Sequence, residues 1–173
     1  TTLSYSADAN KVVSVPGGGT IFLDSAAGGP YVVGRAGEPY GELLGAVERI
    51  DSITGLPSTV NGLPRPGPYQ LLGQPNPDWV GGLDNELHWK RWTLGGLLDY
   101  HVGGSIFSMT NLFGEYSGVL ASTIPGREVD WNNPGIVVKG TDAQTGNPNT
   151  TNVSAEAYYQ SLYQIQQKFV YSA

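Results

Sequence analysis

Cysteine is absent from the 173 residues. That excludes disulfides, thiolate nucleophiles and cysteine metal sites, but it does not fix a compartment. No apolar run of about 18 residues occurs, so no transmembrane helix is encoded; a barrel strand would leave no such run, because it shows only every second residue to lipid. Nine basic residues stand against 15 acidic ones, a net charge of −6, and a chain without a basic face is unsuited to nucleic acid. The only histidines are His88 and His101. There is no G-x-S-x-G, no phosphate-cradling glycine loop and no nucleophile–base spacing, so neither a catalytic residue nor a cofactor is expected.

What the chain does have is glycine (25) and proline (12), high but short of the share that marks disorder, and a composition suited to β-structure with long loops. Its strongest pattern runs from Leu83 to Val102. If Leu83–Lys90 is folded against Arg91–Val102 about Lys90-Arg91, Trp89 falls opposite Trp92, Leu87 opposite Leu94, Asn85 opposite Gly96 and Leu83 opposite Leu98. All eight side chains then share one face, and Asp84, Glu86, His88, Lys90, Thr93, Asp99 and His101 share the other. The turn lacks the glycine or asparagine of a tight hairpin, which leaves a longer loop open. The arms, eight and about eleven residues long, approach the roughly 9–11 residues of a tilted membrane strand. Trp89 and Trp92 beside a charged turn look like an aromatic belt at a membrane interface. A soluble sandwich would alternate in the same way, with that face buried.

The flanking sequence narrows the choice. Before the hairpin stands Leu72-Gly73-Gln74-Pro75-Asn76-Pro77-Asp78-Trp79-Val80-Gly81-Gly82, and after it Gly103-Gly104-Ser105-Ile106-Phe107-Ser108-Met109-Thr110-Asn111. This run resembles the LGNPNPDWTGG, strand, turn, strand, GG-[KS]-IF-[SN]-MT succession of SusC/RagA-type TonB-linked outer-membrane transporters. Val33–Gly41 is similar to the family's VGEPIG segment, and Pro148-Asn149-Thr150-Thr151 with Tyr158-Tyr159 to its late PNTT and YY loop. The resemblance implies an all-β fold, a fragment of a 22-stranded transmembrane barrel with long extracellular loops carrying short helices. On this reading residues 1–173 belong to the barrel domain, without the plug and without the closing C-terminal strands. It implies the outer membrane of a gram-negative bacterium, contact with its lipid, and import of an oligosaccharide or peptide. The implied partners are a SusD-like surface lipoprotein and, through a plug outside this chain, the TonB complex.

Taken in order, Thr1–Ala9 reads as a half-polar strand, and Asn10-Lys11 as a turn before a return begun at Val12–Val15 and broken at Pro16. Ile21–Leu23, Tyr31–Val33 and Tyr40–Arg49 are strand candidates. The prolines between Asp51 and Asp78 predict a connecting loop. Family members often carry a calcium-loop-like run there, but Asp51–Pro57 holds one carboxylate and Asp142–Asn147 is as thin, so no metal site is expected. His88 and His101, with Glu86 and Asp99 nearby, are too far apart on adjacent strands for shared coordination; polar lumen lining is the reading the resemblance gives them. Asn149-Thr150-Thr151 and Asn152-Val153-Ser154 match the glycosylation acceptor pattern, a match that the bacterial origin implied by the resemblance makes accidental.

Residues 103–168 are expected to form a long extracellular loop region. Met109, Leu112, Phe113 and Tyr116 follow helical spacing, as do Tyr158, Tyr159, Leu162 and Tyr163 after a Ser154 cap. Tyr116, Trp131, Tyr158 and Tyr159 are the candidate partner or substrate contacts, because large rings beside polar groups suit sugar stacking and protein interfaces. The competing expectation is a soluble β-rich carbohydrate-binding module, with exposed aromatics in one groove and the Leu87/Trp89/Trp92/Leu94 face buried.

Overall fold

The computed structural model describes residues 1–127 and 135–172. Most of its regular structure is β-sheet, with two short α-helices. The chain opens with β1 (Thr2–Ser6), then makes a long excursion. Within it, β2 (Thr20–Ser25), β3 (Tyr31–Arg35) and β4 (Glu42–Glu48) form an antiparallel meander, and the small strands β5 (Ser58–Val60) and β6 (Leu63–Pro64) follow. The excursion ends with β7 (Pro66–Gly73), which lies beside β4 and completes a four-stranded sheet of order β2-β3-β4-β7. The chain then runs down β8 (Trp79–Trp89) and up β9 (Trp92–Val102).

A second excursion contains β10 (Ser105–Phe107), helix α1 (Met109–Tyr116), β11 (Ile136–Val137), β12 (Thr141–Asp142), β13 (Asn152–Val153) and helix α2 (Ala155–Leu162). It closes with a 3₁₀ turn, Gln166–Phe169, and β14 (Val170–Ser172), which pairs with β10.

The central hairpin has the pairing its alternation dictates: Trp89 faces Trp92, Leu87 faces Leu94, Asn85 faces Gly96 and Leu83 faces Leu98. Its first arm is longer than the expected Leu83–Lys90. The pairing continues through Gly82, Gly81 and Val80 to Trp79 opposite Val102, because glycines weaken a strand without forbidding it. The turn is a tight two-residue one. Lys90 takes φ = 55°, the left-handed conformation that such turns require and usually assign to glycine or asparagine. On the other side β1 pairs antiparallel with β8, Leu3 opposite Leu83 and Tyr5 opposite Gly81, giving a sheet of order β1-β8-β9.

Two sequence expectations fail for identifiable reasons. The proline-rich stretch is not all loop, since Pro66 and Pro68 lie within β7. There β7 is an edge strand, with β4 as its neighbour, and an edge tolerates residues that cannot donate to a ladder. Val12–Val15 does not return along β1: the Val12 N–H donates to Glu38 O at 2.9 Å and its carbonyl accepts from Gly37 N at 2.8 Å, so the segment is held by the β3–β4 turn.

Both helices form where the spacing places them. Ser108 Oγ accepts from Asn111 N and caps α1; Ser154 Oγ accepts from Ala157 N at 3.1 Å and caps α2. Each satisfies one of the donors orphaned at a helix start. Their apolar sides meet in a core of Leu112, Ala155, Tyr159, Leu162, Ile165 and Phe169. The first excursion is bound to this core through β4. Gln166, itself buried, accepts from Ala46 N at 2.8 Å; Gln167 accepts from Glu48 N at 3.2 Å; Lys168 Nζ lies 2.8 Å from Glu48 Oε2. The 7–78 stretch and the described residues of 103–169 therefore make one packed body at a single end of the three-stranded sheet.

Phe169 is 1% exposed, and truncating a buried phenylalanine costs about 3–5 kcal/mol. Phe169→Ala should accelerate hydrogen exchange throughout α1, α2 and β4 while leaving the β8–β9 amides at their parental rates. Uniform acceleration in both regions would show that the body is not a separate cooperative unit.

Glu42 on β4 is buried, and its Oε2 has no hydrogen-bond partner. Burial pushes its carboxyl above the usual range, Glu38 adds to the rise, and Arg35 opposes it. A folded pKa above the unfolded one means that stability is fully present below the unfolded pKa and is lost as pH rises through the folded value. Glu42→Gln should therefore raise the melting temperature at pH 7 and change it little at pH 4. Parallel shifts at both pH values would rule out an ionised, unpartnered carboxylate as the cause.

Candidate functional site

Two surfaces carry the candidate residues. The first is the apolar face of the β1-β8-β9 sheet. Register places Leu3, Leu83 and Leu98 in one row across the three strands, and Tyr5, Gly81 and Tyr100 in another. Leu87, Trp89, Trp92 and Leu94 extend this face toward the turn, and Trp79 stands at the opposite end with its ring 5.7 Å from that of Tyr5. The opposite face carries Thr2, Ser4, Asp84, Glu86, His88, Thr93, Asp99 and His101. Asn85 is the polar exception on the apolar face, and its Oδ1 accepts from Thr1 Oγ1 at 2.7 Å.

This apolar face is uncovered by any described residue: Leu87 is 63% exposed, Trp89 66%, Trp92 75% and Leu94 72%. Burial of that face was the distinguishing expectation of the soluble module, and it is not met. Trp89 and Trp92 lie together at the turn end, with Lys90 Nζ 5.5 Å from the Trp89 ring centre. The expected arm stopped at Leu83 and so left out Trp79, which stands at the other end beside Tyr5 and near Tyr100. Carrying the alternation two residues past Gly81 reaches Trp79.

On the polar face, His88 Nδ1 sits 3.0 Å from Thr93 Oγ1 and Nε2 sits 3.5 Å from Glu86 Oε2, while His101 is paired with Val80 far along the strand. Among the described residues no cluster of three metal-ligating side chains occurs. Asp51 accepts from the N–H groups of Thr54 and Ile53 and from Thr54 Oγ1; the Thr54 bonds hold its carboxyl below the usual range. Asp142 is engaged in the same way by Gln144 N and Thr145 N. Both are turn-forming aspartates.

The second surface is a cavity of about 460 Å³ in the loop body, between the end of α1 and the start of α2. Tyr116, Arg127, Ser154, Glu156, Tyr159 and Gln160 line it. Of the predicted contact residues, the structure brings Tyr116 and Tyr159 to this cavity. Tyr116 is 44% exposed and its ring packs 5.3 Å from that of Tyr163. Tyr159 belongs to the core, and its hydroxyl donates to Pro125 O at 3.3 Å. Tyr158 packs against that core with its ring 5.0 Å from Tyr159, nearly at right angles. Trp131 lies outside the described residues.

Burial raises both phenols: Glu48 and Glu115 reinforce the rise for Tyr158, and Tyr158 and Glu115 for Tyr159, where Arg127 opposes it. Both therefore remain hydrogen-bond donors at neutral pH. Arg127 Nη1 donates to Gly118 O at 2.8 Å. Among the described residues that line the cavity, there are one cation, one carboxylate and several neutral polar groups, and no nucleophile–base pair. The Asn149 acceptor site is closed to glycosylation, because the side chain is 8% exposed and donates to Val138 O at 2.9 Å. A further aromatic notch, lined by Phe22, Tyr31, Leu44 and Tyr69, lies on the four-stranded sheet; no sequence periodicity linked these residues, which come from four different strands.

No family model matches the chain. The chain is 26% identical over 136 residues to the TonB-dependent receptor P3 of Formosa agariphila; the alignment covers 65% of this chain and 14% of that protein. The chain thus spans about a seventh of its relative's length, and at this distance it is similar to part of a TonB-dependent receptor.

Proposed function

We propose that the chain forms part of the wall and outer loop system of an outer-membrane, TonB-linked transporter of the SusC/RagA type. The observation that carries this reading is the placement of aromatic residues at the two ends of an otherwise aliphatic face. Trp79 and Trp89 are the termini of the eleven-residue β8, about 33 Å apart at ~3.3 Å per residue. A tilt of about 40° reduces that to roughly 25 Å across the membrane, the height of the apolar band between the aromatic girdles of outer-membrane barrels. On this reading β1, β8 and β9 are neighbouring wall strands, and Lys90-Arg91 is a short periplasmic turn. Leu87, Trp89, Trp92, Leu94, Leu98 and Tyr100 meet lipid; Glu86, His88, Asp99 and His101 meet the lumen.

The body built from residues 7–78 and 103–169 then stands outside the cell, which extends the loop system expected at 103–168. Its role is contact with a SusD-like surface lipoprotein and with an oligosaccharide or peptide, centred on Tyr116 and the cavity beside it. The chain does no chemistry on this reading. Energy for import enters through a plug and the TonB complex, neither of which this chain supplies. The soluble carbohydrate-binding module keeps one observation in its favour, the exposed ring cluster of Phe22, Tyr31 and Tyr69.

Adjacent residues at mid-height separate the two readings. Leu98 lies on the apolar face opposite Leu83, and Leu97 on the polar face opposite Asp84. An arginine facing lipid near the midplane costs about 2–4 kcal/mol. Leu98→Arg should sharply reduce assembly of the full-length protein into lipid, whereas Leu97→Arg should assemble close to parental yield. Equal yields, or release of both into the soluble fraction without detergent, would refute a membrane wall.

The loop assignment has its own test. Tyr116→Ala should leave assembly intact and lower lipoprotein co-purification or cargo-dependent growth at least several-fold. Parental levels of both would remove Tyr116 from the contact surface.

A further inference from the structure

Gly103 and Gly104 separate β9 from the loop body, and a glycine pair at such a junction ordinarily reads as a hinge. We infer that it is the reverse: with Pro75–Asp78 the pair forms a rigid collar that fixes the loop body to the strand ends, making the body a stationary rim and not a flap. Both glycines have positive φ, 78° and 96°, and both are crowded. A Cβ on Gly103 would strike the Asp78 carboxylate, and one on Gly104 would stand 3.2 Å from Pro75 O and 3.5 Å from Pro77 N. Positive φ favours glycine at both positions; the Cβ position of Gly104 in addition faces backbone at 3.2 Å, and that of Gly103 faces the Asp78 carboxylate with Asp78 N behind it at 3.2 Å.

The hydrogen bonds agree. Asp78 N donates to Val102 O at 2.8 Å and Ser105 N donates to Gln74 O at 2.7 Å, so the two chains stay bonded on both sides of the glycine pair. Pro75 and Pro77 fix φ on the facing chain and remove freedom that a hinge would use. Gly73 repeats the arrangement, since its missing Cβ position is taken by the Ser105 side chain. Further along, Gln166, Gln167 and Lys168 tie the second excursion to β4 of the first. Neither excursion can swing without breaking its bonds to the other. Opening motions are drawn from segments with few contacts; here backbone bonds flank the glycine pair on both sides, although Asp78 and Val102 themselves are exposed. The inference holds whether or not the strands lie in a membrane.

The test uses the full-length protein with spin-label pairs from the far turn to each excursion, Arg91 with Ile53 and Arg91 with Val119, all three exposed. A collar gives one narrow distance distribution for each pair. It also gives Asp78 and Ser105 amides that exchange within about tenfold of those in β8 and β9. Broad or two-peaked distributions for either pair, or free exchange at those amides, would overturn it. As a variant, Gly103→Ala should raise exchange at Asp78 and Ser105 by tenfold or more. An unchanged rate would mean the close approach does not hold the junction. If that variant does not assemble, the two measurements on the parental protein still decide.

Discussion

The pairing of β8 with β9 is the constraint from which the rest of the architecture follows. It runs without a bulge from Trp79–Val102 to Trp89–Trp92, and a slip of one residue would send every side chain to the wrong face. Because the register is fixed, the apolar residues of one arm fall beside those of the other, and β1 extends the same division with Leu3 and Tyr5. The tight turn has a second effect. It brings Trp79 and Val102 together at the far end, so both excursions leave from the same place and can pack on each other. Lys90 in the left-handed region is an unfavourable element in this arrangement, at roughly 1 kcal/mol for an ordinary side chain, and the ladder it closes outweighs it.

The loop body is stabilised differently. Its connected apolar cluster is small and drawn from the second excursion; the first buries Val33, Leu43 and Ala46 and is joined to that cluster by side-chain bonds onto the backbone of β4. Gln166 is the clearest case. It is 8% exposed, accepts from Ala46 N and donates to Gly28 O, so both ends of its amide are satisfied by residues of the first excursion, 120 and 138 positions away in sequence. A satisfied buried amide adds only about 1 kcal/mol net, but leaving its partners bare costs more. The arrangement therefore selects one relative placement of the two excursions more strongly than it stabilises them.

The same contrast explains what could be read from the sequence. The register of the hairpin was legible because strands state it locally, through alternation, although the first arm proved longer than expected; α1 and α2 were legible through helical spacing, and α2 also through its Ser154 cap. Strand β7 was not, since Pro66 and Pro68 carry the usual signature of a loop and only the sheet shows that they sit on an edge. The partnership of 7–78 with 103–169 was illegible, because it rests on Gln166 and Thr141 meeting residues more than 80 positions away. Tyr116, Tyr158 and Tyr159 looked alike as exposed-ring candidates. Tertiary packing divides them: Tyr158 and Tyr159 join the core, with Tyr159 also lining the cavity, whereas Tyr116 stands half-exposed beside it.

The apolar face of the sheet raises a final physical question. Leu87, Trp89, Trp92, Leu94, Leu98 and Tyr100 are all more than half exposed, and each would gain about 1.5–3 kcal/mol on leaving water. Together that is on the order of 10 kcal/mol, as large as the net stability of a typical domain, so whatever covers this face dominates the energetics of the assembled protein. Position within the face separates the possible covers. A protein partner would favour large anchors at the centre of the patch, ringed by smaller contacts. Here the central rows hold leucine, asparagine and glycine, and the rings stand at the margins. Tyrosine and tryptophan at the margins match the polarity gradient at the two boundaries of a lipid layer, where an apolar ring and a polar N–H or O–H are satisfied at once.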